Sequence, residues 1–299
     1  MALAKQTDVI IVGAGPAGIT AAIQLKRFGI PYLLIEENRV GGLLWNANLV
    51  ENYPGFPTGV SGPKLVGLFE KQMKHNAVEV IFEKVVCAGR SNELFVVETQ
   101  SGTYLANFLV IASGTKAMPF PIFVSDEMKG HVFSDVAHLL DVTRRHIVIV
   151  GSGDAAYDHA LNLVRNENCV TILNRGQDVK CLPLLVERAR LQPAIKYRDE
   201  ITISRVELDR TGRLVIYCRT RPSVEQIQAD DLIFAIGREA QQDYFSGNLR
   251  EKESELTSAC KLYFIGDVRN GLMRQTAIAT GDGLRAAMQI DHMLKDKKP

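Results

Sequence analysis

The sequence Gly13-Ala14-Gly15-Pro16-Ala17-Gly18 stands between a short apolar, β-branched run, residues 8–12, and an apolar stretch with helical spacing, residues 19–28. A second strand-like run, residues 32–35, leads to Glu36. The same order returns at residues 146–150, then Gly151-Ser152-Gly153-Asp154-Ala155-Ala156, a helical pattern over 157–164 and a strand-like run over 170–173. One glycine turn of this spacing carries little weight. Two of them, each in strand, turn, helix, strand context, point to an α/β chain with two Rossmann-like nucleotide-binding domains.

Each position in the turn has a physical task. The first glycine permits the sharp turn, the second lets the backbone approach a pyrophosphate, and the third place must be small so that helix and strand pack. Gly13, Gly15 and Gly18 fill these places in the first copy, and Gly151, Gly153 and the still small Ala156 in the second. The helix that follows presents unpaired N–H groups and a positive dipole end, so Pro16, Ala17, Asp154 and Ala155 are expected at the phosphates. Glu36 lies close to the roughly twenty-residue spacing of a ribose-binding acid, which suits the unphosphorylated adenosine ribose of FAD or NAD. Asn174 and Arg175 hold the equivalent place in the second copy, with Lys180 beyond them. Cations there suit the 2′-phosphate of NADP, and they read equally well as solvated surface charges.

A chain of 299 residues accommodates two ordinary domains. With 35 basic against 34 acidic residues and no dense cationic run, it lacks the field that nucleic-acid binding needs. No apolar stretch approaches the length of a bilayer-spanning helix, and the start lacks a signal-peptide pattern, so a cytoplasmic protein is expected. The five cysteines are scattered, with no Cys-x-x-Cys, which fits reduced thiols and neither a disulfide framework nor a metal site.

Six further segments carry a family resemblance. Gly41-Gly42-Leu43, Glu51-Asn52-Tyr53-Pro54-Gly55-Phe56-Pro57 and Ser61-Gly62-Pro63 resemble the flavin-binding segment of low-molecular-weight thioredoxin reductases. Phe264-Ile265-Gly266-Asp267, Arg274-Gln275-Thr276-Ala277 and Gly281-Asp282-Gly283 resemble that family's second flavin segment. The resemblance implies an FAD-binding domain over 1–116 and 241–299, with an NAD(P)-type domain over 117–240 inserted in it, and a homodimer. It carries FAD onto Gly13, Gly15, Gly18, Glu36, Gly42, Leu43, Asn52, Gly266, Asp267, Arg274, Gln275 and Thr276, with Gly114 at a domain junction. A helix start at Gln275 would stabilise negative charge on the reduced ring. Asp267 reads alternatively as a helix N-cap, and Trp45 either stacks on the flavin or packs in the core.

The chain departs from the family where the chemistry should be. Thioredoxin reductases carry C-A-T-C-D-G before the second glycine turn, and here Asp135 and His138 stand where those cysteines would be. A carboxylate and an imidazole form no mixed disulfide, so a thioredoxin-reducing cycle is excluded at this place. His138 as proton donor with Asp135 fixing its tautomer is one reading, and a solvated turn is the other. Cys181 and Cys260 have no partner thiol at useful spacing. The family's H-R-R-x-x-x-R run has become Asn174-Arg175-Gly176-Gln177-Asp178-Val179-Lys180, and its Glu-Glu pair Asp158-His159. Three functions follow from these departures: an FAD oxidoreductase passing electrons from NAD(P)H to a non-thioredoxin acceptor; a flavoprotein fed by ferredoxin, with a second FAD or no NADPH in the inserted domain; and a non-catalytic flavin or nucleotide sensor.

Overall fold

The computed structural model describes residues 4–220 and 223–296. The first half of the chain forms β1 (Lys5–Val12), α1 (Pro16–Phe28), β2 (Tyr32–Glu36), α2 (Gly62–His75), β3 (Ile81–Phe82), β4 (Val85–Ser91), β5 (Leu94–Thr99), β6 (Thr103–Ile111) and β7 (Thr115–Ala117). There follow β8 (Val132–Phe133), β9 (His146–Val150), α3 (Asp154–Leu163), β10 (Cys169–Leu173), α4 (Pro183–Arg190), β11 (Ile195–Arg198), β12 (Thr202–Leu208), β13 (Leu214–Arg219), β14 (Val224–Ala229), β15 (Asp231–Phe234) and β16 (Arg238–Ala240). The chain closes with α5 (Gly247–Glu251), α6 (Glu253–Ser258), β17 (Leu262–Phe264) and α7 (Thr276–Lys295). Among the described residues no helix is long and apolar enough to cross a membrane.

These elements divide into two units. The first comprises the chain up to Trp45, Val50–Lys116 and the chain from Glu239 onward; the second comprises Asn46–Leu49 and Ala117–Arg238. β7 and β16, which lie at the two predicted domain boundaries, pair as a two-stranded sheet.

In the first unit the strand order is β3-β2-β1-β6-β5-β4. Pairing is parallel from β3 to β6 and antiparallel among β6, β5 and β4. Residues 103–106 of β6 pair with β5, and residues 109–111 pair in parallel with β17. Val9, Ile10 and Ile11 are fully buried, as expected of a central parallel strand covered on both faces. Helix α1 begins at Pro16, three residues before its apolar spacing becomes visible. Proline fits there because its missing N–H is one of the unpaired donors of a helix start. It ends at Gly29, whose φ of 70° supplies the left-handed cap. α1 packs closely on α7, where a Cβ at Gly283 would strike the Ala17 carbonyl, and on the turn before it, where one at Gly266 would stand 2.9 Å from the Ala17 Cβ.

The second unit repeats the plan with a five-stranded parallel sheet, β11-β10-β9-β15-β8, and adds an antiparallel sheet, β12-β13-β14. Its cores lie around Ile147, Ile149, Ala156, Ala160 and Ile172, and around Val148, Leu214, Ile216 and Phe234. In both units the glycine turn leaves the carboxyl end of a central strand, β1 or β9, with the strand order running away in both directions. Open α/β sheets bind ligands at such a point.

Candidate functional site

At the first turn, Gly13 has φ of 104°, donates its N–H to the Ile35 carbonyl at 2.8 Å, and has no room for a Cβ against Ala112. Gly18 is closed off by the Gly13 carbonyl. These two glycines are required by the protein's own backbone. Gly15 differs: its φ of −74° suits any residue, and no atom lies within 4 Å of where its Cβ would stand. The open space begins at the N-cap of α1, so it meets the geometric and electrostatic needs of a pyrophosphate. Gly42, at φ of 53°, borders the same space, its Cβ position lying 3.4 Å from the Gly15 Cα. Glu36 is held across the turn by two backbone donors, Ala14 N–H at 2.8 Å and Asn38 N–H at 3.0 Å. Each carboxylate oxygen keeps acceptor capacity for a ribose hydroxyl. This cradle fits the adenosine diphosphate part of FAD.

The rest of the first unit brings distant predicted residues together. Asn52 Nδ2 donates to Gln275 Oε1 at 2.9 Å across 223 residues of sequence, and Gln275 is the N-cap of α7, with Thr276 its first residue. Asp267 lies inside a single 3-10 turn, Gly266–Val268, and is not an N-cap. Asp282 steadies that turn, accepting from Gly266 N–H at 3.1 Å and Asn270 Nδ2 at 2.7 Å. Arg274 is half-buried and engaged by its surroundings. Gly114 has φ of 64°. Leu43 is half-buried. Trp45 is pinned locally: Nε1 donates to the Val40 carbonyl at 2.8 Å, and the Arg39 guanidinium lies 4.4 Å over the ring.

At the second turn Gly151 repeats Gly13, with φ of 142° and no room for a Cβ against the Ala235 carbonyl. The surroundings of Gly153 do not repeat those of Gly15. Gly153 bridges to Lys180, whose N–H donates to the Ser152 carbonyl at 3.0 Å. Asp154 Oδ1 accepts from Leu182 N–H at 2.7 Å. Residues 180–182 therefore run as a strap along the turn, and the Asp154 carboxylate holds the strap. Ala155 is exposed beside it. Asn174, expected at a nucleotide, is turned inward because the loop after β10 needs its amide. Nδ2 donates to the Asp178 carbonyl and to Tyr197 Oη, and Oδ1 accepts from Gly176 N–H. Arg175 and Lys180 are exposed.

The predicted pair Asp135 and His138 is not formed as expected. Asp135 Oδ1 accepts from Ala137 N–H at 3.1 Å, while the exposed His138 ring stacks on Phe133 with centroids 5.9 Å apart. The hydrogen bond that would fix a His138 tautomer is absent among the described residues, because this short turn closes on its own backbone. The imidazole that senses Asp135 is His159 of α3. It is 6% exposed, and burial holds its pKa down to about 4, opposed by the Asp135 carboxylate and reinforced by the Arg238 guanidinium. Its Nδ1 is buried without a hydrogen-bond partner. The signal was available in the sequence: residues 156, 159/160 and 163 form the inward stripe of α3, so His159 falls on the buried face. Beside it, burial raises Asp158 to about 6, although Asn48 N–H donates to Oδ2 at 2.8 Å.

Three of the five thiols are held away from the thiolate form by their setting. Burial pushes Cys181 up to about 12 and Cys218 up to about 11, and raises Cys87 as well. All five cysteines are free.

Comparison with known proteins gives a consistent result. A family model described as pyridine nucleotide-disulphide oxidoreductase matches residues 7–283. The thioredoxin reductase of Rickettsia felis is 30% identical over 305 positions, spanning 96% of this chain and 98% of that protein. The thioredoxin reductase of Treponema pallidum is 29% identical, over 94% of each chain. Among solved structures, Lactococcus lactis thioredoxin reductase superposes with a TM-score of 0.85 at 22% identity, over 97% of this chain and 99% of that one. The bacillithiol disulfide reductase of Staphylococcus aureus superposes with a TM-score of 0.75 at 20% identity, over 98% of this chain and all of that one.

Proposed function

The chain belongs to the pyridine nucleotide-disulphide oxidoreductases and is an FAD-dependent oxidoreductase of the thioredoxin reductase-like kind; from that premise we propose that it passes electrons from NAD(P)H through FAD alone to an acceptor other than thioredoxin. The observation that carries the reading is the pairing of an open, flavin-ready first turn with the lack of any usable thiol pair. Thiol–disulfide relay needs a thiolate and a second sulfur, and this chain has no Cys-x-x-Cys and raised pKa values at three of its five thiols. In this reading residues 1–116 and 241–299 hold FAD, and 117–240 take the pyridine nucleotide.

The bound flavin supplies two-electron transfer. The chain's own contributions are binding and orientation. Gly15 and the first N–H groups of α1 receive the pyrophosphate, and Glu36 accepts from the adenosine ribose. Gln275, steadied by Asn52, presents the positive end of α7 to the ring, and Asp267 takes the ribityl chain. In the inserted domain Arg175 and Lys180 are the cations available to a nucleotide phosphate. The protein acts in the cytoplasm as a homodimer. A ferredoxin-fed cycle and a second FAD have no observation in their favour.

Anaerobic stopped-flow absorbance tests this. Addition of NADPH or NADH should bleach the flavin band within seconds, and a thioredoxin acceptor should not restore it. Bleaching by reduced ferredoxin alone, or restoration of the band by oxidised thioredoxin, would remove the proposal.

A further inference from the structure

A free sheet edge offers a row of unpaired N–H and C=O groups to any extended chain, so natural sheets guard their edges with charges, bulges or covering loops. In the second unit β12 is an edge, with β13 on one side only. Alternate residues of an antiparallel strand turn both backbone groups away from the partner. Among the described residues, no backbone hydrogen bond joins residues 202–208 to any segment except β13. The register slips between Ile203 and Arg205, after which Arg205, Val206, Glu207 and Leu208 pair in regular succession. The charges of this strand do not guard its edge. Arg205 and Glu207 pair with each other at 3.0 Å and fold over the sheet face toward β13: the guanidinium lies 3.9 Å over the Tyr217 ring, and Tyr217 Oη donates to Glu207 Oε2 at 3.0 Å.

An open cleft of about 450 Å³ runs along this edge, a volume within the range of natural ligand sites. One wall is β12 from Ser204 to Leu208; the other is formed by Phe123, Ser125, Glu127 and Met128. The second wall is fixed in place, because residues 126–128 form a 3-10 turn and Met128 is buried in the same core as Val206. Two of its side chains lack a use within the chain. Phe123 is 84% exposed. Glu127 is the one charge of the lining without an ion pair among the described residues, since Arg205 and Glu207 neutralise each other. The cleft therefore joins a free backbone edge, an exposed ring and one uncompensated negative charge, and none of its lining residues belongs to either glycine turn.

We propose that this cleft docks an extended segment of a partner protein, which adds as a strand to the open edge of β12, covers Phe123 with an apolar side chain and sets a lysine or arginine against Glu127. Main-chain hydrogen bonds supply affinity in this mode of recognition, and the side-chain contacts supply specificity.

The test titrates a capped, dye-labelled heptapeptide of alternating valine and lysine into the FAD-loaded protein, read by fluorescence anisotropy. Two control peptides accompany it, one N-methylated at alternate residues so that one backbone edge cannot donate, the other with glutamate in place of lysine. The parent peptide should bind with a Kd below about 1 mM. N-methylation should weaken binding about tenfold or more, and the glutamate peptide should bind less tightly than the lysine one. Phe123→Ala should weaken the parent peptide about tenfold, and Glu127→Gln about threefold with a smaller response to salt. Thermal midpoints of both variants should stay within a few degrees of the parent, because both side chains are exposed. Amide exchange in Arg205–Leu208 should slow when the peptide is bound. Absence of binding at about 1 mM, equal binding of the N-methylated peptide, unchanged affinity in both variants, or unchanged exchange along β12 would each overturn the inference.

Discussion

At the first glycine turn no atom of the chain stands within 4 Å of where a Gly15 side chain would begin, whereas at the second the Lys180 carbonyl lies 3.6 Å from the corresponding point on Gly153. The helices that follow differ in the same sense. α1 carries no titratable group before Lys26, while α3 carries Asp154, Tyr157, Asp158 and His159 in its first six residues. The backbone requirements are nevertheless shared, since Gly13 and Gly151 have positive φ and each abuts a carbonyl of a neighbouring strand's end. The lesson is that a glycine turn dictates how strand joins helix and leaves open what the turn faces. One copy faces space and the other faces its own chain.

The largest effect should come from breaking what the turns share. Gly13→Val and Gly151→Val each meet positive φ and a backbone collision, so each should cost about 3 kcal/mol or more in urea unfolding. Gly15→Ala should leave stability within about 0.5 kcal/mol of the parent and release flavin, because its Cβ occupies only the ligand's space. Equal destabilisation by Gly15→Ala would abolish the contrast. Glu36→Ala should weaken FAD retention tenfold or more, read by flavin fluorescence on dilution, since two backbone donors lose their acceptor along with the ribose.

The ionisable load on α3 gives a pH test with a definite sign. Asp158 titrates near 6 in the folded protein against an ordinary 3.8, because burial disfavours its charge. The native state thus holds this proton more tightly than the unfolded chain. Its contribution favours folding below about pH 4 and is lost as pH rises through 6. Asp158→Asn should therefore be more stable than the parent at pH 8, by roughly 3 kcal/mol, with the difference vanishing below pH 4. A difference that does not vary between pH 4 and 8 would show that Asp158 is not buried in this way. The smallest effect concerns the strap. Asp154→Ala removes the acceptor of Leu182 N–H, so amide exchange at Lys180 and Leu182 should speed up at a stability cost of about 1 kcal/mol, with α1 unaffected.

Much of the architecture was legible because it is local. Strand runs, the glycine spacing and Glu36 lie within stretches of about thirty residues, over which backbone sterics and periodicity settle the outcome. Apolar spacing places the helix starts late, at 19 and 157, because Pro16 and Asp154 are start residues with no place in an apolar stripe. The side-chain partners were less legible. Asn174 looked like a nucleotide ligand from its place after β10, yet its amide closes a loop with Asp178 and Tyr197. His138 looked like the partner of Asp135 because the two stand where the family's cysteines would be, yet Asp135 accepts from Ala137 N–H, the exposed His138 ring stacks on Phe133, and the imidazole on which the Asp135 carboxylate acts is His159.

The sequence by itself determined that two strand–turn–helix units are present, that their turns need small residues at set places, and that no dithiol lies within reach of a short loop. These follow from covalent spacing and from the conformations an L-residue can adopt. Only the tertiary structure decided that Asn52 meets Gln275 across 223 residues, that the second turn runs beside its own strap, and that one ring nitrogen of a histidine on α3, Nδ1, is buried without a hydrogen-bond partner. Which polar atoms find one another depends on how the layers pack, and packing is a property of the whole chain that no local pattern contains.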